Sequence, residues 1–147
     1  MHDIVRKVIV PDSVTSIHDF AFSIREEEMK NYPSTLEEVV LPDSIEHFGP
    51  GIFYGCNNLK QVNWPRSMTV ITDDMFAYTS LKDFVIPNWV TAIGSWSFAN
   101  CAWDHELVIP NSVETISDDA FWFSHIEKMI IPLTTHNIGT CMLGDDG

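Results

Sequence analysis

The 147-residue sequence has few groups that cross-link a chain or carry it through a membrane. Its three cysteines, Cys56, Cys101 and Cys141, are odd in number and include no Cys-x-x-Cys pair, which argues against a disulfide scaffold or a structural zinc site. No apolar run is long enough to span a bilayer. Pro11 also cuts the apolar run that follows Met1 before the core of a signal peptide could form. We therefore expect no direct membrane insertion and find no export signal in these residues.

Basic residues are scarce as well. Eight Lys and Arg stand against 21 Asp and Glu, so the formal net charge is −13. Such a surface repels nucleic-acid phosphates and anionic lipid head groups, so nucleic acid is excluded as an expected partner. The charge favours a basic partner, or it serves solubility alone.

Proline is more abundant and marks a repeat. The period is carried by Pro11, Pro42, Pro65, Pro87, Pro110 and Pro132. After a first step of 31 residues, these prolines follow one another at 22 or 23 residues. An insert at about residues 24–35 accounts for the longer first step, and we interpret it as a surface loop or one helical turn.

Apolar residues align in columns on these prolines. One residue before each proline stand Val10, Leu41, Trp64, Ile86, Ile109 and Ile131; eleven residues after stand Phe22, Phe53, Phe76, Phe98, Phe121 and Leu143. Alternating apolar positions before the proline predict a short strand that the proline ends, because proline has no ladder donor. One such coil cannot bury its apolar columns alone, so coils must stack. We predict a single domain of six repeats over residues 1–147: a β-rich, right-handed solenoid with a parallel sheet on one face and short helical turns on the other.

Several local features fit this pattern or depart from it. We interpret the acidic pairs Asp73-Asp74 and Asp118-Asp119 as caps of short helical turns rather than as calcium ligands. Gly94 and Gly139 are expected at bends that glycine permits. In the fifth repeat Asp104 replaces the leading leucine, so Trp103 or Ala102 is expected to fill the space, and Thr135 and Leu143 make the sixth repeat degenerate.

The fourth repeat shows the pattern most fully. Its residues 81–94 read Leu-Lys-Asp-Phe-Val-Ile-Pro-Asn-Trp-Val-Thr-Ala-Ile-Gly and are followed by Phe98 and Cys101. This motif resembles the BspA-like leucine-rich repeat, and the resemblance covers residues 5–143. It implies a leucine-rich-repeat coil and a cell-surface or secreted protein of the adhesin type, which binds host or matrix proteins.

No residues of the sequence converge into a reaction centre under this fold. Five of the six histidines, His18, His47, His105, His125 and His136, occupy different columns of the repeat, so a metal site is not expected. Cys56 and Cys101 share a column but lie two repeats apart, at about 10 Å from the strand spacing, and should be free thiols packed as small apolar residues. Phosphate-binding loops and nucleophile motifs are absent from the sequence. We therefore expect no catalytic site, no cofactor and no enzyme.

The strand face is the first candidate for binding another protein. The positions two before each proline point outward as a stripe: Ile9, Val40, Asn63, Val85, Val108 and Ile130. Charged residues edge the stripe, among them Lys82, Asp83, Glu106 and Lys128. Contiguous exposed apolar area is typical of an interface, although β-branched residues also suit a parallel ladder without any partner.

A second candidate is aromatic, formed by Tyr54, Tyr78, Trp122 and Phe123, with Trp89 and Trp96 in the fourth repeat alone; ordinary packing explains such residues too. The main functional prediction is a non-enzymatic, adhesin-like protein-binding module. An intracellular acidic inhibitor or scaffold that occupies a basic site on its partner is the alternative, favoured by the unpaired cysteines and the missing signal. A spacer in a longer array is a third possibility, and open solenoid ends could associate end to end.

Overall fold

The proline-anchored segments form short parallel strands that stack along one axis. The computed structural model describes residues 4–140 and 143. The strands that precede the prolines are β1 Lys7–Ile9, β3 Glu38–Val40, β5 Gln61–Val62, β8 Leu107–Val108 and β10 Met129–Ile130. Their register follows the proline columns, since Val8 lies opposite Val39 and Val39 opposite Val62. This parallel stacking confirms the predicted β-rich solenoid.

A second ladder of strands follows the prolines. It comprises β2 Ser16–Ile17, β4 His47–Phe48, β6 Val70–Ile71, β7 Ala92–Ile93, β9 Thr115–Ile116 and β11 Asn137–Ile138. Within it, β2 pairs with β4, and the order β11-β9-β7-β6 forms a four-stranded sheet. The isoleucines of the four-stranded sheet, each six residues after its proline, lie opposite one another. The polypeptide thus changes direction at each proline and pairs again a few residues later.

The sheet of the first ladder is split, which differs from the single continuous sheet we expected. The order β1-β3-β5 forms one sheet and β8 pairs with β10 in another, while residues 82–86 of the fourth repeat pair with neither. Trp64, one residue before its proline, and Phe84, three before, are bulky rings where the other repeats have aliphatic side chains or methionine. The Trp64 ring packs 5.8 Å from the Phe84 ring, and Phe84 lies 5.1 Å from Trp103. We attribute the split to these rings, which hold the neighbouring backbones apart.

The insert contributes α1 Glu26–Met29, one helical turn with no buried residue. It packs over the second repeat, since the Tyr54 hydroxyl donates to Glu26 Oε1 at 2.5 Å. A side chain at position 55 would meet Met29, so Gly55 gives the turn room to lie close.

The core is a column of phenylalanine rings. Phe53, Phe76, Phe98 and Phe121 are fully buried, and Phe22 is half-buried at the first repeat. Successive rings along the column stack nearly parallel, with centroids 5.3 to 5.7 Å apart. Trp103 is buried against Phe98 and Phe121 and so fills the space left by Asp104.

Left-handed backbone closes each turn around this core. Nine residues after the proline, φ is positive at Phe20, Gly51, Asp74, Trp96 and Asp119; thirteen after, it is positive at Gly55, Tyr78, Asn100 and Phe123. Hydrogen bonds from the N–H of residue i+3 to the carbonyl oxygen of residue i span the turns; for example, Ala99 N donates to Trp96 O at 3.0 Å. In repeats two to five, tight turns with two left-handed residues therefore stand where we expected helical turns.

Aspartate and glycine alternate from coil to coil, which corrects our interpretation of both residue types. Asp73 Oδ1 accepts a hydrogen bond from Ser95 N at 2.8 Å, and Asp118 Oδ1 accepts one from Thr140 N at 2.7 Å. Each carboxylate therefore binds the next coil rather than capping its own turn. Gly94 is needed because a Cβ there would lie 2.6 Å from Asp73 Oδ1. Its role is close approach between coils, since its φ is not in the left-handed region.

Candidate interaction surfaces

The predicted stripe on the strand face is apolar and exposed in its second half. The exposed fraction is 71% for Val85, 50% for Val108 and 41% for Ile130, on three consecutive repeats. In the first half, Ile9 is exposed but Val40 is half-buried. Ile130 lies opposite Val108 in the ladder, and Val85 stands at the same position of the preceding repeat. We call these three exposed residues the valine patch: Val85, Val108 and Ile130.

Asn63 interrupts the stripe for a structural reason. Its Oδ1 accepts from Leu41 N at 2.6 Å and its Nδ2 donates to Leu41 O at 2.8 Å. The side-chain amide thus imitates a strand backbone and continues the ladder by one residue beyond β5. Asn63 is exposed, but its polar atoms are already engaged in the fold.

The split sheet opens a groove beside the valine patch. The groove has a volume of about 380 Å³ and is lined by Lys60, Gln61, Val62, Trp64, Leu81, Asp83, Phe84 and Val85. It combines aromatic walls with charged rims at the place where residues 82–86 leave the ladder. An extended partner could reach both backbone and apolar groups there.

Ion pairs edge the strand face unevenly. Glu37 lies between Arg6 at 3.3 Å and Lys60 at 3.5 Å, and Lys7 contacts Glu38 at 3.1 Å. Lys128 Nζ contacts Glu106 Oε2 at 2.5 Å, so two of the predicted rim residues bind each other.

The fourth repeat departs from this pattern. Lys82 and Asp83 are exposed and form no ion pair among residues 4–140. Their charges adjoin Val85 and are available to a partner.

The turn side of the coils carries two aromatic clusters. In one, Phe20 lies 6.2 Å from Tyr54 and Tyr54 lies 5.5 Å from Tyr78. In the other, the Trp96 ring lies 4.9 Å from Trp122, which lies 5.4 Å from Phe123.

We expected Trp96 to be an aromatic residue of the fourth repeat alone, and we did not predict a role for Phe20. Both residues stand nine after their proline. Their shared left-handed backbone turns them toward the aromatic residues of the next coil. The position nine residues after the proline can be found in the sequence, but the direction of the side chain there depends on that backbone conformation.

The two described thiols have no sign of activation. Cys56 Sγ donates to Phe22 O at 3.0 Å and Cys101 Sγ to Phe76 O at 3.2 Å, and both residues are buried. Burial raises the pKa of the Cys56 thiol to about 12 and that of Cys101 to about 11. Both are free and pack as small apolar residues, as predicted; Cys141 lies outside the described residues.

The described part of the chain contains neither a candidate metal site nor a membrane-spanning helix. No group of three or more His, Cys, Asp or Glu residues there could hold a metal ion. None of the helices in that part is long and apolar enough to cross a membrane.

Stacked proline-anchored coils with two parallel ladders and a phenylalanine column define a leucine-rich-repeat solenoid. The model of the BspA type leucine-rich repeat region, in six copies, matches residues 23–145. The chain belongs to this family.

Three solved structures are similar to this chain. A leucine-rich repeat protein from Bacteroides ovatus superposes with a TM-score of 0.78 at 23% identity, covering 94% of this chain and 37% of its own. A leucine-rich cell surface protein from Faecalibacterium prausnitzii gives 0.60 at 24% identity, covering 94% and 44%. The pneumococcal vaccine antigen PcpA gives 0.54 at 18% identity, covering 92% and 47%. These likenesses establish the fold, and the chain spans less than half the length of each protein.

No curated protein sequence matches the chain.

Proposed function

We propose that this chain is a non-enzymatic module that binds another protein through the valine patch and the adjoining groove. The observation that carries the proposal is the exposure of Val85, Val108 and Ile130 on three consecutive repeats. Exposed apolar residues in one contiguous patch are characteristic of interaction sites. Burying them against a partner would remove apolar surface from water at a gain of about 25 cal/mol per Å².

The gap in the first ladder adds polar recognition to this apolar surface. Residues 82–86 belong to no strand, and Asp83, Phe84 and Val85 line the groove together with Gln61 and Val62 of β5. An extended segment of a partner could add hydrogen bonds there, as in β-strand addition. Lys82 and Asp83 at the rim would then set its orientation by charge.

The compartment is part of the proposal. Two of the similar structures are those of a cell surface protein and of a vaccine antigen, which supports an adhesin-like surface or secreted role for this chain. The net charge of −13 supports a second candidate, an acidic inhibitor or scaffold that covers a basic site on its partner.

The test is a double substitution in the valine patch, Val85→Glu with Val108→Glu. Proteins captured by the wild-type chain are identified, and the affinity of each is then measured with purified components. A hot spot is worth about 2 kcal/mol, so we expect affinity for the partner to fall roughly 30-fold.

The matched control is Val70→Glu, because Val70 is 44% exposed but belongs to the second ladder. It should leave the affinity within about twofold. If every captured protein bound the double variant as tightly as the wild-type chain, the valine patch would not be the binding surface.

A further inference from the structure

The turn side of repeats three to five presents an aromatic ring between two carboxylates. Asp74, Trp96 and Asp119 each stand nine residues after their proline, and their φ values are 58°, 58° and 56°. The recurring backbone conformation places the three residues at the same position of successive coils. Adjacent coils in such a ladder lie about 4.8 Å apart. Asp74 and Asp119 therefore stand one coil before and one coil after Trp96.

The indole is open to a ligand on this side. Trp96 is 37% exposed, and its ring packs against Trp122 at 4.9 Å. Phe123 continues the cluster and is 54% exposed. The phenylalanine column already fills the core beneath these rings, so the exposed indole is not needed to complete it.

The carboxylates on this side have no cationic partner among residues 4–140. No Lys or Arg occurs in residues 67–81 or in residues 83–127, so the turns of repeats three to five contain none. Asp73 and Asp118 accept backbone hydrogen bonds from the next coil. Asp74 and Asp119 make no side-chain hydrogen bond or ion pair among the described residues.

The local field at Asp74 is negative. Burial and, secondly, the charge of Asp73 raise the pKa of the Asp74 carboxyl. A cation placed beside Asp74 would offset both effects, since an opposite charge favours the ionised carboxylate.

We propose that this surface, the acidic turn face formed by Asp74, Trp96, Asp119 and Trp122, binds an arginine-rich segment of a partner protein. A guanidinium group stacks on the Trp96 indole while its N–H groups donate to the flanking carboxylates. Arginine suits the site better than lysine, because its planar group can stack and form bidentate hydrogen bonds at the same time. The absence of competing cations in these turns leaves the face to the partner.

This inference goes beyond the proposed function, because it uses a different set of columns from the valine patch. It names the chemistry of the partner segment, which the valine patch does not. Binding at either surface can be disproved without affecting the other proposal, since Val85 and Val108 take no part in the acidic turn face.

The experiment measures binding of a hexa-arginine peptide to the folded chain by calorimetry at low and at physiological salt. Hexa-lysine and hexa-serine peptides are compared in parallel. We expect arginine to bind more tightly than lysine, no measurable binding of serine, and weaker binding at higher salt because exposed charges are screened. Binding should also shift one indole N–H signal in the NMR spectrum, the signal that disappears when Trp96 is replaced.

Trp96→Gly removes the ring without straining the left-handed backbone, since Gly51 holds the same position in the second repeat at φ 62°. The expected loss of arginine affinity is about 3- to 30-fold, the range of a cation–π contact. Trp96→Asn, which also tolerates this backbone, provides an independent variant. Asp74→Asn with Asp119→Asn should weaken binding by about tenfold or more.

The charge control is Asp104→Asn with Glu127→Gln, which removes two exposed carboxylates away from the turn face. We expect it to change arginine affinity less than twofold. Equal losses in the control and in the Asp74/Asp119 variant, or unchanged binding in both Trp96 variants, would overturn the site and leave only general attraction to an acidic protein. The Val85→Glu, Val108→Glu variant should bind the arginine peptide normally, which separates this test from that of the proposed function.

Discussion

Phe98→Ala would remove the central ring of the phenylalanine column. Phe98 is fully buried, and its ring lies 5.6 Å from Phe76 and 5.3 Å from Phe121 in stacked geometry. It also contacts Phe84 at 5.3 Å and Trp103 at 5.5 Å. The substitution therefore leaves a cavity among these four rings, over which the coils can relax only in part.

The expected loss follows from these contacts. Replacing a core phenylalanine by alanine costs about 3–5 kcal/mol, and each well-placed aromatic pair contributes about 0.5–1.5 kcal/mol beyond burial. Because Phe98 has four neighbouring rings, we expect its replacement to lower the free energy of unfolding by about 5 kcal/mol, the upper end of this range. Because a whole domain is stable by only about 5–15 kcal/mol, this single change should remove a large share of the stability.

Urea unfolding followed by circular dichroism measures the effect, with Phe22→Ala as the matched control. Phe22 is half-buried and stacks on one described ring, Phe53 at 5.7 Å, so we expect about 2 kcal/mol there. Since each coil contacts only its neighbours, the Phe98 variant should also unfold less cooperatively, with a lower dependence on urea. A Phe98→Ala loss no larger than that of Phe22→Ala would refute the idea that the column carries the core.

Three further outcomes test other parts of the structure. Gly94→Ala should lower the free energy of unfolding by about 1–3 kcal/mol in thermal or urea unfolding, because its Cβ would lie 2.6 Å from Asp73 Oδ1; an unchanged stability would contradict the close approach. Asn63→Ala should cost about 1–3 kcal/mol, because the Leu41 backbone loses both amide partners, whereas a stability-neutral variant would free Asn63 for a binding role. Iodoacetamide labelling of Cys101, followed by peptide mass spectrometry at pH 8, should be far slower in the folded chain than in urea, since burial raises the pKa of that thiol to about 11; equal rates would mean an accessible thiolate.

The register of the fold was predictable because prolines and phenylalanines mark it directly. Proline cannot donate to a strand ladder, so its recurrence marks the ends of the strands, and a phenylalanine that recurs once in each coil needs a buried space in each coil. The observed pairing of Val8 with Val39 and of Ile93 with Ile116 is the pairing that the columns require. Trp103 could also be predicted as a core residue, because Asp104 cannot be buried without a partner.

The contacts between coils were less visible. Asp73 and Gly94 stand in adjacent columns of adjacent repeats, and each has a plausible local explanation as a cap or a bend. Their contact appears only when one coil lies on the next. Trp96 likewise reads as an isolated aromatic until its left-handed backbone places its ring on Trp122.

The sequence by itself determined the period, the buried columns and the family, because these depend on residue type and spacing alone. Only the tertiary structure decided where the first ladder breaks and which exposed residues meet. Side-chain volume at Trp64 and Phe84 acts across coils, and the direction of Trp96 depends on a backbone angle that composition does not encode. The surfaces proposed for binding arise from these through-space effects, while the core beneath them follows from the repeat.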